Sequence, residues 1–572
     1  MRKLTLATAV CTALLPAVAA HADEREDLMQ LRATTLNLIE LLVKQGVLTR
    51  EGADTLLKQA QQQAAQTPVA QPAQTAQPVT APESAQAVAS ETPAEGGKQE
   101  VRVGYVPQFV RDEIRDEVRI GLREDVTNDV LAQAKNEAWG VPGALPEWTS
   151  RFKFSGDMRL RAEGDLYNSN NAPYGTAFID FNKANSDGGI GNAFLNTEQD
   201  RWRGRLRLRL GVDAKVTNNV TAAVRIASGS TNDPVSTNQT MGDSFRHSQL
   251  VLDRAFLKYD GSDVHGYPYL TLWGGRMPNP WMSTDLVWDD DLNFEGVAGT
   301  YRWNIAGSNS LLDIDERTRT LYLTFGGFLL DEAPLSSKDK SLLAAQVGTQ
   351  WLFQDQSSFE VALAYYDYIN IDGRRNELNS RSRDYTAPGF MQKGNSLFDI
   401  SNDATPGRRF GLASDFRLVD LTFKYDLARF APMHLGLLGD YVVNVGYDSG
   451  AIRHRLDGSP MYVDGTLIPG KPSDKQNEGY QLKLTFGWPS TLIRNNWQAF
   501  LAYRYLERDA VVDAFTDSDF HLGGTNNKGW ILGGSYGLTD NTYLMARYMS
   551  ADEIDGPPLG IDVFQVDLNA KF

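Results

Sequence analysis

The chain has 572 residues, with 50 glycines, 10% aromatic residues, one cysteine and a formal net charge of −16. That length exceeds one ordinary soluble core, and glycines and aromatics scattered among short alternating runs favour one very large closed sheet, a mainly β architecture, over several helical or α/β domains. The acidic balance disfavours nucleic acid as a partner, and beyond the amino terminus no run approaches the roughly 18 apolar residues of a membrane helix. A membrane barrel stays open, because each of its strands hides half its hydrophobicity.

Residues 1–22 read as a secretory signal: Arg2 and Lys3, an apolar run from Leu4 to Ala20, and Ala20-His21-Ala22 as a cleavage site. Cys11 lies inside that signal and Val10 before it spoils a lipoprotein-type site, so no disulfide is expected in the exported chain. Losing Arg2 and Lys3 takes the charge from −16 to −18. In residues 23–60, Leu28, Leu31, Leu38 and Leu42, with Thr35 between them, occupy heptad a and d positions up to Gly46, and a second short helix starts near Thr49. This helical, coiled-coil-like element is either an oligomerisation seam or a hairpin packed on itself. Residues 61–100 form a Pro, Ala and Gln-rich linker that cannot bury enough apolar area to fold. In residues 101–150, Val110, Ile114, Val118, Leu122, Val126 and Val130 recur at steps of four, a drifting stripe that must wrap against something. Trp139 to Trp148, with Pro142 and Pro146, ends that helix and leads into the sheet.

From 151 to 572 the period becomes two. Sixteen candidate strands follow, beginning with 151–164 and 200–214 and ending with 541–550 and 561–572; a merged or split strand would give fourteen or eighteen. Long connections rich in Asn, Asp, Gly and Ser (about 166–199, 371–414 and 447–477) alternate with tight ones such as Thr217-Asn218-Asn219 and Thr539-Asp540-Asn541. That alternation is what an even-numbered membrane barrel shows. In the last strand Phe564, Val566, Leu568, Ala570 and Phe572 share one face, while Gln565, Asp567, Asn569 and Lys571 share the other.

The most informative stretch is Arg201 to Leu210. Arg203, Arg205, Arg207 and Arg209 fall on one face and Leu206, Leu208 and Leu210 on the other. A guanidinium facing lipid at mid-depth costs ~2 to 4 kcal/mol, so the arginine face must be the wet interior. Arg159 and Arg161 on the preceding strand and Arg225 on the following one extend this basic wall. Either it attracts anions, or its arginines are paired with interior carboxylates and hold the wall together. Catalysis has little support. Gly533-Gly534-Ser535-Tyr536-Gly537 matches the nucleophile-elbow pattern but sits in an alternating strand with no helix after it, and His247, His265, His434, His454 and His521 stand singly without metal-ligand spacing. Neither a cofactor nor a metal site is expected.

The third connection on the long-loop side carries Gly275-Arg276-Met277-Pro278-Asn279-Pro280, then Val287-Trp288-Asp289-Asp290-Asp291-Leu292-Asn293 and Glu295-Gly296. This run resembles a hallmark of the bacterial putative-porin family. The likeness extends to the signal, the Gly46-Val47-Leu48-Thr49 segment, the Trp139 to Trp148 junction and the terminal Phe572, and so covers most of the chain. It implies an outer-membrane β-barrel porin, a water-filled channel for passive diffusion of small hydrophilic solutes, with the helical element in the periplasm. It further implies contact with outer-membrane lipid and lipopolysaccharide, assembly as a homotrimer, and Phe572 as the terminus read by the barrel-assembly machinery. In general porins the third loop folds inward, so by resemblance Asp285, Trp288, Asp289, Asp290 and Asp291 would form a constriction opposite the arginines. A plugged barrel, acting as an adhesin or envelope tether through its loops and helices, is the alternative.

Overall fold

A computed structural model of the chain describes Thr149 and residues 151–572, apart from 264–266, 307–318, 335, 403–406, 464–465 and 469–474. The signal, the helical element, the linker and the helix of residues 101–150 expected above lie outside the described residues. The rest is dominated by sixteen long strands. They are β1 (Phe152–Tyr167), β2 (Arg201–Lys215), β3 (Val220–Ser228), β4 (Leu250–Ser262), β5 (Pro268–Pro278), β6 (Asn293–Ala306), β7 (Arg319–Asp331) and β8 (Lys340–Leu352). There follow β9 (Ser358–Ile369), β10 (Arg417–Leu427), β11 (His434–Asn444), β12 (Glu478–Gly487), β13 (Trp497–Leu506), β14 (Asn527–Thr539), β15 (Thr542–Glu553) and β16 (Gly560–Lys571).

Each strand pairs antiparallel with its neighbour in the chain, and β1 pairs with β16 from Asp157 opposite Lys571 to Tyr167 opposite Ile561, which closes the barrel. Closure removes every edge strand, so backbone groups are satisfied within the sheet wherever it meets an apolar medium. Alternation then sorts the side chains. Along β8, Leu342, Ala344 and Gln346 point inward and are buried, while Leu343 and Val347 between them are exposed. Leu160, Leu210, Leu323, Leu363, Leu421, Leu482, Leu501, Leu532 and Phe564 repeat the pattern on other strands. An apolar exterior on this scale is a lipid-facing surface rather than a water-facing one. Among the described residues no helix is long and apolar enough to cross a membrane, which does not bear on crossing by strands.

Connections after odd strands, here L1 to L8, are mostly the longer ones, L4 (332–339) and L8 (554–559) being short, and those after even strands are mostly tight, as the sequence pattern predicts. L3 (279–292) and L7 (507–526) turn into the barrel. L5 (370–416) and L6 (445–477), expected to be plain loops, carry short strands at Leu397–Asp399, Phe410–Leu412, Met461–Val463 and Thr466–Ile468 that pair into a small separate sheet. The principal hydrophobic core lies inside the barrel. Trp281, Leu286, Val287, Trp288 and Leu292 of L3 pack with Phe294, Phe328, Leu342, Tyr366, Leu418 and Val442 of the wall and with Val511 and Val512 of L7.

Candidate functional site

The arginines of β2 project to the interior and meet carboxylates at every step. Register places Arg209 opposite Asp157, Arg207 opposite Arg159, Arg205 opposite Arg161 and Arg203 opposite Glu163. Arg209 Nε donates to Asp157 at 2.8 Å and Arg207 reaches the same carboxylate at 3.1 Å. Arg203 Nε donates to Glu163 at 2.5 Å, and Arg205 reaches Glu163 at 3.3 Å. Arg161 forks onto Asp567 of β16 at 2.8 and 3.0 Å, Arg159 donates to Asn238 at 2.5 Å, and Arg225 pairs with Asp253. The wall is therefore a paired ladder. Positive charge is least offset at Arg159, whose ion-pair distance to Asp567 is 3.9 Å.

L3 is shaped by the sequence run that surrounds it. Asn279 accepts from the Trp281 amide at 2.9 Å and donates to Ser283 Oγ at 3.0 Å, which turns the chain inward between Pro278 and Pro280. At the far end Asn293 accepts from Arg254 at 2.6 Å and donates to Asp253 at 2.7 Å, pinning the return to the wall. Gly275 and Gly296 lie opposite each other where L3 leaves and rejoins the sheet. Both have positive φ (119° and 156°), and a Cβ on either would strike a carbonyl of the next strand, Ala255 O or Gly327 O.

The four L3 aspartates do different things. Asp291 accepts from Arg209 at 3.1 Å, lies 3.5 Å from Arg207 and accepts from Thr237 Oγ1 at 2.9 Å. Burial would raise its carboxyl, but Arg207, Arg209 and Arg159 outweigh burial and hold it below the usual range. Asp285 faces the other side, 2.8 Å from Arg504 and 2.8 Å from Gln481 Nε2. Burial is again opposed, here first by Arg504, and its carboxyl is also lowered. Asp289 is buried and accepts from the amides of Asp291 (2.7 Å) and Ser518 (2.9 Å). Burial and the charges of Asp517 and Asp291 push it well above the usual value. Asp290 alone of the four is exposed, and its enclosed position inside the barrel, then Asp285, Asp517 and Asp291, push it up to about 6. Trp288 turns away from the arginines into the core, with its ring 4.8 Å from Phe294 and 5.3 Å from Tyr366.

L7 lies against L3. Asp289 N donates to Phe515 O (2.8 Å), Asp517 N to Asp285 O (3.1 Å) and Thr516 Oγ1 to Leu286 O (2.8 Å). Its own acids then reach the wall, Asp517 to Arg504 at 2.9 Å and Asp519 to Arg161 at 2.8 Å and Arg547 at 2.5 Å.

A family model described as a putative porin matches residues 32–572. The chain belongs to that family. Among solved structures the porin is similar to the high-pH structure of Pseudomonas putida OprB, with TM-score 0.40 and 11% identity over 74% of this chain and 95% of that one. It is also similar to the outer membrane channel DcaP of Acinetobacter baumannii (TM-score 0.37, 15% identity, 74% and 97% covered) and to Salmonella typhi OmpF in complex with daunomycin (0.38, 10%, 74% and 97%). No curated protein sequence matches it. Family and barrel together make this an outer-membrane channel protein.

Of the residues singled out from the porin's sequence, the seven arginines share the interior, but of the L3 acids Asp291 alone meets the β2 ladder. Asp157, Glu163 and Asp567 were missed as partners although parity puts them on the same faces as Arg159, Arg161 and Gln565. Asp517 and Asp519 carried no local signal, because only the inward fold of L7 brings them to the site, and nothing local matched them to Arg504 of β13 or Arg547 of β15 on the wall. Gly533 to Gly537 lies within β14, and β15 follows after a tight turn. His434 meets Asp426 at 2.9 Å, with no serine hydrogen-bonded to either among the described residues. There, too, no three His, Cys, Asp or Glu side chains gather to hold a metal. Phe572 exchanges backbone hydrogen bonds with Gly156 (2.8 and 3.0 Å), and a Cβ on Gly156 would strike the Phe572 ring.

Proposed function

We propose that this porin is a water-filled, trimeric channel through which small hydrophilic solutes diffuse across the outer membrane, with ion preference set where L3 and L7 meet the arginine ladder. One observation carries the reading: Arg203, Arg205, Arg207 and Arg209 point inward onto carboxylates while Leu206, Leu208 and Leu210 face out. A wall of fixed charges wetted from within offers solutes binding weak enough to leave again. Because most guanidiniums are paired, the excess positive charge is small, and the ladder gives at most a modest anion preference, with Arg159 its least offset member. Phe572, at the seam that closes the barrel, serves as the assembly signal. The rival reading, a plugged barrel used as an adhesin or tether, draws on the core that L3, L5 and L7 share inside the wall.

Single-channel recording in a planar bilayer separates the two. An open porin gives large steps that tolerate voltage, whereas a plugged barrel gives none. Arg205→Glu combined with Arg207→Glu is then expected to move the reversal potential under a salt gradient toward cations. An unchanged potential would make these arginines purely structural.

A further inference from the structure

Asp519 is a loop carboxylate held as a ligand would be. Arg161 Nη1 donates to both of its oxygens (2.8 and 3.0 Å), Arg547 Nη2 donates at 2.5 Å and Gln565 Nε2 donates at 3.1 Å. The three donors come from β1, β15 and β16, and they are set in place without the loop. Arg161 is fixed by its fork onto Asp567, and Gln565 donates to Glu163 at 2.9 Å while accepting from Arg547 at 2.5 Å. Arg161 itself is only 1% exposed, so its unused donors are preorganised rather than floppy. L7 does not depend on the Asp519 side chain for its position, since Thr516, Asp517 and Ser518 fasten it to L3 through other hydrogen bonds. Asp519 and Arg547 keep side-chain exposures of 16% and 17%, so solvent reaches the cluster.

We infer that Arg161, Arg547 and Gln565 form a receptor on the barrel wall for the carboxylate group of a passing solute, and that Asp519 is its resident competitor. This rests on the channel reading and names the solute class, small organic acids. A rotation of the Asp519 side chain empties the receptor without moving L7. It leaves Arg161 paired with Asp567 and, at 3.5 Å, with Glu163, which Arg203 and Arg205 share, while Arg159 and Arg205 are near enough to help hold the Asp519 carboxyl well below the usual range against burial. A tethered carboxylate competes at an effective concentration in the mM range or above, so the full-length wild-type protein binds free carboxylates weakly.

The test is Asp519→Ala in the whole porin, probed with sodium succinate and with choline chloride as the control. Succinate is expected to produce a saturable block of chloride current at a half-effect concentration about tenfold or more below that of wild type. Titration calorimetry of the purified variant in detergent should show the same gain, and Asp519→Ala with Arg547→Gln should lose it. Asp519→Asn, which keeps the side chain's shape without its charge, carries the test if the alanine variant does not assemble. Absence of any gain in succinate binding in the assembled variants overturns the proposal, as does a gain that survives Arg547→Gln. Calorimetry reads the receptor even in a barrel that does not conduct, so failure of the channel reading would be seen separately as wild-type protein without current.

Discussion

Asp290 is expected to make the ion preference of the channel depend on pH. Its carboxyl is pushed up to about 6, so the charged form is the disfavoured one: ionised above that value, neutral below it. At pH 7.5 about 97% of Asp290 is charged and at pH 5 about 9%, a change of about 0.9 of an elementary charge. Asp285 and Asp291 are held low by Arg504, Arg207 and Arg209 and stay charged through this window. For an ion passing at about 8 Å in water, one charge contributes about 0.5 kcal/mol, a factor of about 2 in local concentration. Because that factor acts in opposite directions on cations and anions, acidification from pH 7.5 to 5 is expected to shift the cation-to-anion permeability ratio about fivefold toward anions. The assay is the reversal potential under a KCl gradient for wild type and Asp290→Asn. The variant should show at pH 7.5 the preference that wild type reaches at pH 5. A pH shift of equal size in Asp290→Asn would refute the assignment. Because the folded-state value lies above that of an unfolded aspartate, Asp290 also makes the barrel more stable as pH falls through about 6.

Two further outcomes concern how L3 is held. Trp288→Ala removes a fully buried indole from the core beneath the loop and is expected to cost about 3 to 5 kcal/mol in urea unfolding from lipid vesicles; a loss under about 1 kcal/mol would mean that L3 is not anchored by packing. Gly296→Ala puts a Cβ onto the carbonyl of Gly327 at a positive φ and is expected to lower the yield of assembled barrel, while Gly189→Ala, where the added Cβ meets open space, should leave the yield at wild-type level.

Much of this molecule is legible one strand at a time. That Arg203, Arg205, Arg207 and Arg209 face water and Leu206, Leu208 and Leu210 face lipid follows from a backbone period of two and from the cost of a charge in hydrocarbon, both local facts. The sixteen strands and the alternation of long and short connections follow the same way. The shape of L3 was half legible. Its prolines and asparagines announce turns, but the reason for Gly275 and Gly296 appears only once β4 and β7 lie alongside them.

Partner choice is where local reading stops. Arg207 and Arg209 meet Asp291, Asp285 meets Arg504, and Asp519 meets Arg161, across 358 residues in the last case. Period two says which face a side chain takes and nothing about which loop will fold down onto it. The amino-acid sequence by itself determined an outward apolar sheet with an inward arginine ladder. Only the tertiary structure decided that the ladder is neutralised nearly charge for charge, because strand register sets Asp157, Glu163 and Asp567 beside it and L3 and L7 fold down to add Asp291 and Asp519, on a path held by a core in which Trp281 and Trp288 of L3 meet Tyr366 of the wall.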